Sequence, residues 1–580
     1  MLRKLLIAAV LALLVSAAAA SAASTRHSRT RQLSLVTSQL MPGVTYTRQV
    51  DLTPAGPVVL DVVTAPKPDG TVYSLAPVLS NNSLAGTEKL TQMEQSLDTT
   101  ATTVGIDGDY FNSKTGAPSS ILMRGGVLDN QPNPGRSSLG MAADGTLQIA
   151  RVKYSGTWQG SSGLRAVSLN TRTGKFTLYT PSFGTATPAE SGVVEVVLSP
   201  FPPTRAGATL TGTVTQVTTS GATRIPTGGA VLVARGAANV AQLQAEAPVG
   251  GQVEVRLTLT PDWSGLANAI GGGPLLVNNG KAVFPNGESF LPGALNGRAA
   301  RGAVGQLADG RILLVTVEGS GPVYSVGLSS YALAVELVRL GAVRAIGLGA
   351  GGAAGMAFDG TLLTRPSLGA EGHVSDALVL SYFGVYVSPV TAVLSPNGDG
   401  VADSEAFSYR IVRPSTVTAT LSGPGGTTIP LASGAATAGV HALTWDGQLN
   451  GALAPEGSWT FTVTATDDRH VTTTAQRSFS LDDTLGALTL TRGPGGYPTA
   501  SYVLARPATV VVRIERLSGV AVATLRTAKL QAGTYRVTWK GRIGKRRAPG
   551  GRYQLRVQAT SPVGTSSLVA PFSLPSHRAK

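Results

Sequence analysis

The chain has 580 residues, of which 42% are hydrophobic and 14% charged, and it carries a formal net charge of +15 and no cysteine. Without cysteine there are no disulfides, thiol catalysis or cysteine-ligated metals, and a chain of several hundred residues buries a core without cross-links. Abundant glycine and proline, with many segments rich in Val and Thr, predict short strands joined by turns.

The first 22 residues have the pattern of a secretory signal peptide. Arg3 and Lys4 precede an apolar core at residues 5–15, and residues 20–22 read Ala-Ser-Ala, which fits a cleavage site. An uncleaved membrane anchor is the alternative, but no later segment has the ~20 apolar residues of a spanning helix. We therefore expect a secreted or extracellular protein without a transmembrane segment.

Changes in amino-acid composition and pattern divide the rest of the chain into four parts. Residues 23–41 are polar and basic and predict a flexible leader, whereas residues 42–388 predict a β-rich α+β domain. Two all-β units are expected at residues 389–485 and 486–576, because a Trp-x-Gly motif at Trp445 reappears 94 residues later. A strand-rich repeat of this length fits one small β-sandwich, so the predicted fold class is multidomain.

Helices are few in the large domain. Helical spacing of apolar residues predicts one helix at residues 87–97 and a stronger one at 329–340, where Ser329 or Ser330 caps the start. A strand at 343–348 and a glycine-rich turn follow, which together indicate a βαβ-like unit. Residues 150–260 are predicted to form further strands.

The large domain also contains an internal sequence repeat. Arg136 and Arg301 each begin a segment with Gly four residues later and Ala-Asp-Gly at the seventh to ninth positions. Because Asp-Gly pairs favour hairpin turns, we predict two related β-units, each with an arginine at the start of a strand.

The net charge is concentrated at the C-terminus. Residues 486–580 hold sixteen Lys or Arg and one acid, Glu515, and therefore carry +15, while the remainder of the chain sums to zero. This region is expected to bind an anionic polymer or surface, such as a cell-wall polymer, acidic polysaccharide or lipid headgroups, rather than nucleic acid. A solvated basic face is the alternative.

Four motifs of the large domain resemble the phosphodiester glycosidase family. They are Ile-Asp-Gly-Asp-Tyr-Phe-Asn at 106–112, Gly-Gly-Gly-Pro-Leu-Leu at 271–276, Arg-Gly-Ala-Val-Gly at 301–305, and Gly-Leu-Gly-Ala-Gly-Gly-Ala at 347–353. The family has Asn where Asp107 stands, and Asn-Leu-Asp-Gly-Gly-Gly-Ser at the last motif, so its polar side chains are replaced by Gly347, Gly349 and Ala353. The C-terminal repeats resemble the Ig-like module of flagellar hook-capping proteins.

The resemblance implies cleavage of a sugar-1-phosphodiester or related glycosidic linkage in envelope or extracellular polysaccharide. A phosphodiester leaves as a weakly basic anion, so catalysis needs a cation on the phosphate, a carboxylate near the anomeric carbon and a positioned water. Arg301 and Arg136 are the candidate phosphate ligands. Asp107 and Asp109 share one face of an extended segment and form a candidate acid/base pair, a hard-cation site, or merely a turn.

Glu318 is a further catalytic candidate at a strand end. The remaining candidate substrate contacts are Asn112, Gly273, Gly349, Gly351 and Gly352. The second hypothesis is a catalytically inactive glycan-binding or cell-envelope structural protein on the same fold.

One segment resembles a short calcium loop. Asn397, Asp399 and Asp403 place oxygen ligands at alternating positions, although the full EF-hand spacing is absent. A linker turn held by Asp and Asn side chains is the alternative. No cofactor other than such a divalent cation is expected.

Overall fold

The computed structural model describes residues 30–284, 287–398, 400–493 and 497–574. The predicted signal peptide at 1–22 and the start of the predicted leader lie outside the described residues. Within the described ranges, no helix is long and apolar enough to cross a membrane.

The N-terminal module is built from 28 short strands, in agreement with the turn-rich composition. These are β1 (Arg31–Met41), β2 (Val44–Thr53), β3 (Gly56–Ala65), β4 (Tyr73–Leu79), β5 (Glu88–Lys89), β6 (Thr102–Asp107), β7 (Leu122–Arg124), β8 (Val127–Asn130), β9 (Ser138–Met141), β10 (Leu147–Ala150), β11 (Lys153–Gln159), β12 (Leu164–Ala166), β13 (Ser168–Leu169), β14 (Phe176–Tyr179), β15 (Val193–Leu198), β16 (Thr209–Thr218), β17 (Ala230–Arg235), β18 (Gln252–Thr260), β19 (Asn268–Ile270), β20 (Leu275–Asn278), β21 (Lys281–Ala282), β22 (Arg301–Leu307), β23 (Ile312–Val317), β24 (Ala342–Ala350), β25 (Met356–Phe358), β26 (Thr361–Leu362), β27 (His373–Val374) and β28 (Asp376–Tyr382).

Four α-helices of this module are α1 (Leu90–Gln95), α2 (Ala237–Glu246), α3 (Pro292–Asn296) and α4 (Ser330–Arg339). Strands make up 53% and helices 7% of the structure, so the multidomain, strand-rich prediction is confirmed while helices are a minor component of this module.

The strands of the N-terminal module form four main sheets. Sheet 1 has the order β1-β2-β3-β23-β22-β24-β20-β21, sheet 2 β10-β9-β19-β7-β8, sheet 3 β12-β11-β18-β16-β15-β17-β14-β13, and sheet 4 β26-β25-β6-β28-β4. One apolar core lies between sheet 1 and sheets 2 and 4, where Val304 of β22 packs with Ile106 of β6. The opposite face of sheet 1 is covered by α4 through Leu333 and Leu337.

The predicted strand–helix–strand unit is present as a crossover within sheet 1. Strands β23 and β24 both pair antiparallel with β22, which lies between them, and α4 connects them across the sheet. Ser329 is the N-cap, because its side chain accepts a hydrogen bond from the N–H of Ala332 at 3.2 Å. The two hairpins of the internal sequence repeat are also present, as β9–β10 and β22–β23.

Three local predictions differ from the structure. Residues 31–41 of the predicted flexible leader form β1, which pairs with β2 although its first nine side chains are exposed. The predicted helix at 87–97 is reduced to the six residues of α1. In the segment predicted to hold only strands, α2 contributes Leu243 to the core of sheet 3.

Two β-sandwich modules follow. Their strands are β29 (Tyr386–Val387), β30 (Val393–Leu394), β31 (Glu405–Ile411), β32 (Ser415–Ser422), β33 (Thr428–Ala436), β34 (Gly439–Trp445), β35 (Gln448–Leu449), β36 (Ala452–Leu453), β37 (Gly457–Asp467), β38 (Thr472–Leu481), β39 (Leu485–Arg492), β40 (Pro498–Leu504), β41 (Ala508–Arg516), β42 (Ala521–Leu530), β43 (Gly533–Thr538), β44 (Arg542–Ile543), β45 (Arg546–Arg547), β46 (Gly551–Thr560) and β47 (Thr565–Leu574).

The repeated tryptophans are core residues of these modules. Trp445 is 5% exposed and packs against Trp459, and Trp539 is 2% exposed and packs against Tyr553. Each indole N–H donates to a backbone carbonyl in the following turn, at Gln448 and Arg542 respectively, so the two modules repeat the same local structure.

Candidate active site

A carboxylate lies against the glycine-rich motif at residues 347–353. Asp107 ends β6 and is buried; its Oδ1 accepts a hydrogen bond from the N–H of Gly355 at 3.2 Å, while its Oδ2 has no partner among the described residues. A Cβ atom at Gly302 would lie 2.7 Å from Oδ1, and one at Gly349 would lie 2.3 Å from Oδ2. Both glycines are therefore required for this carboxylate to lie where it does.

Asp109 is held next to a third carboxylate, Asp376, which sequence reasoning did not identify. Asp376 begins β28, and its Oδ1 accepts a hydrogen bond from the N–H of Asp109 at 2.7 Å. The Oδ1 of Asp109 accepts from the N–H of Tyr110 at 2.8 Å, and a Cβ at Gly271 would approach its Oδ2 to 2.2 Å. The Oδ2 atoms of Asp109 and Asp376 are buried without a hydrogen-bond partner in the described chain.

The environment favours the protonated form of all three carboxyls. Burial raises the pKa of Asp107 well above its usual range, and burial together with the charge of Asp376 does the same for Asp109, although Arg136 opposes the shift. Burial raises the pKa of Asp376 to about 7. The cluster thus holds protons near neutral pH, as an acid/base pair requires. Among the described residues, no group of three His, Cys, Asp or Glu side chains is arranged to hold a metal ion.

The arginine Arg301 does not present the free bidentate fork that we expected for phosphate. Its Nε donates to the carbonyl of Leu328 at 2.7 Å, and its Nη2 donates to the carbonyls of Ala294 at 2.8 Å and Gly297 at 2.7 Å. Backbone carbonyls therefore occupy the guanidinium edge, and burial lowers the pKa of Arg301. Only Nη1 remains without a hydrogen bond in the described chain.

Tyr110, which sequence reasoning left without a role, lies among the predicted charged residues. Burial raises its pKa to about 12, and the charges of Arg301 and Arg136 lower it while those of Asp107 and Asp109 raise it further. The charges of all four side chains thus act on one phenol, although the residues come from distant stretches of sequence. The sequence signal for Tyr110 was its position inside the 106–112 motif.

Arg136 packs against two neighbouring aromatic rings. Its guanidinium carbon lies 5.0 Å from the ring centre of Tyr110 and 4.3 Å from that of Phe290, and its Nε donates to the carbonyl of Ser289 at 3.2 Å. Its Nη1 is buried and has no partner in the described chain. Arg136 also lines an open cavity of about 590 Å³, together with Asn112.

The predicted substrate-binding glycines have separate structural roles. The N–H of Gly273 donates to the carbonyl of Gly347 at 2.9 Å, which joins two of the glycine-rich motifs. Gly351 has φ of +69°, a conformation that favours glycine, and its N–H donates to the carbonyl of Ala300. A Cβ at Gly352 would lie 2.6 Å from Leu368.

Glu318 belongs to a different polar cluster. Its Oε1 accepts from Arg48 at 2.9 Å and from the N–H of Arg365 at 3.0 Å, and the same Arg48 nitrogen binds Asp61 at 2.9 Å. No hydrogen bond within the described chain joins Glu318 to Asp107 or Asp109. The two clusters lie at the same end of one sheet face, because Thr316 pairs with both Gly302 and Asp61.

The predicted calcium loop is a closed turn. Both carboxylate oxygens of Asp403 accept backbone hydrogen bonds, from Gly398 at 2.8 Å and Gly400 at 2.7 Å, so this side chain holds the turn rather than facing a cation. Asn397 donates to Ser395 at 3.3 Å, and Asp399 lies outside the described residues. These hydrogen bonds support the linker-turn alternative at Asp403, while the calcium site stays a prediction.

Comparison with known families agrees with both resemblances. Residues 204–381 match the model of the phosphodiester glycosidase family, and residues 489–562 match the model of the FlgD Ig-like domain. The chain therefore contains a domain of the phosphodiester glycosidase type and a FlgD-type Ig-like domain. No curated protein matches the chain.

Three solved structures are similar to this protein. A hypothetical protein from Synechocystis is 25% identical with a TM-score of 0.51, and the alignment covers 60% of this chain and 64% of that one, which is less than two thirds. A putative exported protein from Burkholderia pseudomallei K96243 is 23% identical with a TM-score of 0.45, covering 56% and 74%. The catalytic domain of zebrafish N-acetylglucosamine-1-phosphodiester alpha-N-acetylglucosaminidase, auto-inhibited by its pro-peptide, is 12% identical with a TM-score of 0.32, covering 61% and 87%.

Proposed function

We propose that the N-terminal module is a secreted, glycan-directed hydrolase that cleaves a sugar-1-phosphodiester or a related glycosidic linkage in envelope or extracellular polysaccharide. The observation that carries the proposal is that Arg136 packs on the ring of Tyr110, on which the charges of Asp107, Asp109 and Arg301 also act, inside a domain of the phosphodiester glycosidase type. Two buried carboxyls with raised pKa values beside two guanidiniums match the needs of this reaction.

In the proposed reaction, Asp109 acts as a general base in its ionised form, which its raised pKa restricts to the upper part of the pH range, and accepts a proton from a water that attacks the anomeric carbon. The bond between that carbon and the bridging oxygen breaks, and the phosphate leaves as a monoester anion that needs no proton from the protein. The buried Nη1 of Arg136 has no partner in the described chain and is the group available to balance the phosphate charge, while Arg301, whose Nε and Nη2 bind carbonyls, adds its positive charge. Asp376 positions Asp109 through its backbone N–H and keeps one proton within the pair.

A second function is favoured by a different observation. Asp107 and Asp109 are 1% and 2% exposed, and three carbonyls already occupy the edge of Arg301. A module with this packing recognises glycan without turning it over, as an inactive binding protein or a structural protein of the cell envelope.

Hydrolysis by the full chain tests the choice between the two functions. We expect release of reducing sugar from a panel of sugar-1-phosphodiesters, and we expect Asp109→Asn to lower kcat about 100-fold or more because the general base is lost. Asp262→Asn is the control, since this exposed carboxylate only caps a turn at Ser264. Wild-type protein that binds these glycans without cleaving them would establish the binding function instead.

The exchange of a carboxylate between two positions sharpens this test. A carboxylate introduced at Gly349 alone would face that of Asp107 at close range, so the informative variant combines Gly349→Asp and Ala353→Ser with Asp107→Asn, which removes the like charge and supplies a hydrogen-bond donor. This variant restores the residues of the family at three positions. Activity that appears only in this variant identifies the wild type as a glycan-binding protein.

We further propose that the basic C-terminal module attaches the protein to an anionic cell-wall polymer outside the cell. Its support is the charge of residues 486–580 and the exposed cations of the β44–β45 hairpin, which are Lys540, Arg542, Lys545, Arg546 and Arg547.

A further inference from the structure

A groove beside the carboxylate cluster is lined by hydrogen-bond donors. Its cavity of about 590 Å³ falls in the range of small-ligand sites, and it is bordered by two arginines, five side-chain amides and no carboxylate. The arginines are Arg136 and Arg172. The amides are Asn112, Asn130, Gln131, Asn133 and Asn170.

The orientation of three of these amides is fixed by backbone hydrogen bonds. The side-chain oxygen of Asn112 accepts from the N–H of Lys114 at 2.9 Å, that of Asn133 from Gly135 at 2.9 Å, and that of Gln131 from Leu169 at 3.4 Å. The NH₂ groups of these three side chains make no hydrogen bond in the described chain. They are therefore the atoms left for a ligand, and each of them is a donor.

The guanidinium of Arg172 adds a positive charge at the rim. It lies 5.6 Å from the ring centre of Phe183, which also lines the groove, and makes no ion pair within the described ranges. Asp129, an acidic side chain on β8, is already paired with the Nε of Arg124 at 2.6 Å. The groove thus offers donors and positive charge, while Pro132, Pro134 and Phe183 supply apolar surface for a sugar ring.

From these observations we propose that the groove is a binding site for a sugar unit bearing an oxyanion, either a phosphate or a carboxylate. Arg172 and the amides of Asn133 and Asn112 bind the oxyanion, and Arg136 links this site to Asp109, whose pKa it lowers. The inference rests on the proposed glycan-directed function and extends it, because it assigns an anionic glycan as the substrate class. The anionic unit lies next to the linkage that the carboxylates face.

Calorimetric titration of the full chain tests the site with ligands that hold no phosphodiester. Glucose 6-phosphate and glucuronate distinguish phosphate from carboxylate, while glucose and inorganic phosphate test whether sugar and anion are both needed. We expect binding of at least one anionic sugar, at least tenfold tighter than glucose and than inorganic phosphate.

Two variants locate the binding in the groove. Asn133→Asp keeps the oxygen that accepts from Gly135 but replaces the NH₂ donor with a negative oxygen, and Arg172→Gln removes the rim charge. We expect each to weaken binding at least tenfold, whereas Arg256→Gln, an exposed arginine on β18 outside the groove, leaves it unchanged. Because Arg172 is exposed, its variant folds even if the Asn133 variant does not.

Three results would overturn the assignment: equal binding of glucose, equal binding of inorganic phosphate alone, or full affinity in Arg172→Gln. Failure of hydrolysis leaves the titration unaffected, since none of these probes is a substrate. Hydrolysis without any groove binding would in turn retain the proposed function and reject this site.

Discussion

The carboxylates of the candidate site are positioned by the absence of side chains around them. The sequence comparison suggested that Gly349 had lost a polar group, whereas the structure shows Asp107 occupying the space that a side chain at Gly349 would need. Gly302 and Gly271 make room for Asp107 and Asp109 in the same way. The two carboxyls are therefore deeply buried, and burial raises their pKa values.

The titration of Asp376 has a consequence for stability. Its pKa is about 7 in the folded protein, against 3.8 ordinarily, so the folded state retains a proton that the unfolded chain loses between about pH 4 and 7. The contribution of this group is complete below pH 4 and is lost as pH rises through 7. Asp376→Asn keeps an oxygen to accept from Asp109 and removes the ionisation. We expect the variant to be stabilised relative to wild type by about 2–4 kcal/mol at pH 8 and by little at pH 4.

The measurement is the thermal midpoint of unfolding at pH 4 to 8 for both proteins. Asp262→Asn serves as the exposed control and should follow the wild-type profile. Parallel profiles for wild type and Asp376→Asn would show that this carboxyl does not titrate near neutral pH.

The way the candidate site is assembled explains which of its residues could be predicted from the sequence. Asp107, Asp109, Arg136 and Arg301 were predictable because they lie in recognisable motifs, and the structure does bring them together. Asp376 was not, since it begins an otherwise apolar strand and reaches Asp109 only through the pairing of β28 with β6. The occupation of Arg301 by carbonyls depends on a loop whose path has no local sequence signal.

At the scale of elements, periodicity decided which predictions succeeded. α4 was predictable because Leu333 and Leu337 repeat on one face and both are buried. α2 buries only Leu243 and Glu246, so its sequence lacks an apolar stripe. β1 has no buried alternation, because it is held by backbone hydrogen bonds to β2 while most of its side chains face solvent.

The start of α4 offers a matched pair of substitutions. The Ser329 side chain accepts from the N–H of Ala332, whereas the neighbouring Ser330 hydroxyl is buried without a partner. We therefore expect Ser329→Ala to lower the free energy of unfolding by about 1 kcal/mol. Ser330→Ala should leave it unchanged or raise it, because an unsatisfied polar atom is removed. Denaturant unfolding of both variants measures these changes. Equal losses of unfolding free energy in the two variants would show that Ser329 is not the N-cap.

At the scale of the whole molecule, the two sandwich modules differ in charge rather than in fold. In the first module, the hairpin after Trp445 is formed by β35 and β36 and carries a single charged residue, Asp446. In the second, the equivalent hairpin of β44 and β45 carries five exposed cations at positions 540–547. The same scaffold thus presents a basic tip in only one of its copies.

The N-terminal module is joined to the first sandwich by polar contacts, such as Arg410 with Asp359 at 2.6 Å.

The basic tip predicts where the protein binds an anionic polymer. Lys545→Gln, Arg546→Gln and Arg547→Gln together remove three charges from the hairpin, and we expect them to weaken retention of the full chain on an immobilised polyuronate at least tenfold at low salt. A matched triple variant, Lys529→Gln with Arg536→Gln and Arg552→Gln, removes the same charge from exposed strand positions elsewhere in the module. It should weaken retention much less, because its charges are spread over different strands.

Ionic strength is the second variable of this experiment. Retention that depends on the hairpin should fall steeply between low and physiological ionic strength, where the screening length shortens to about 8 Å. Equal losses in the two triple variants would mean that overall charge, and not the tip, attracts the polymer. Retention that ignores salt would exclude electrostatic attachment altogether, and the excess charge of the last module would then be a solvated surface.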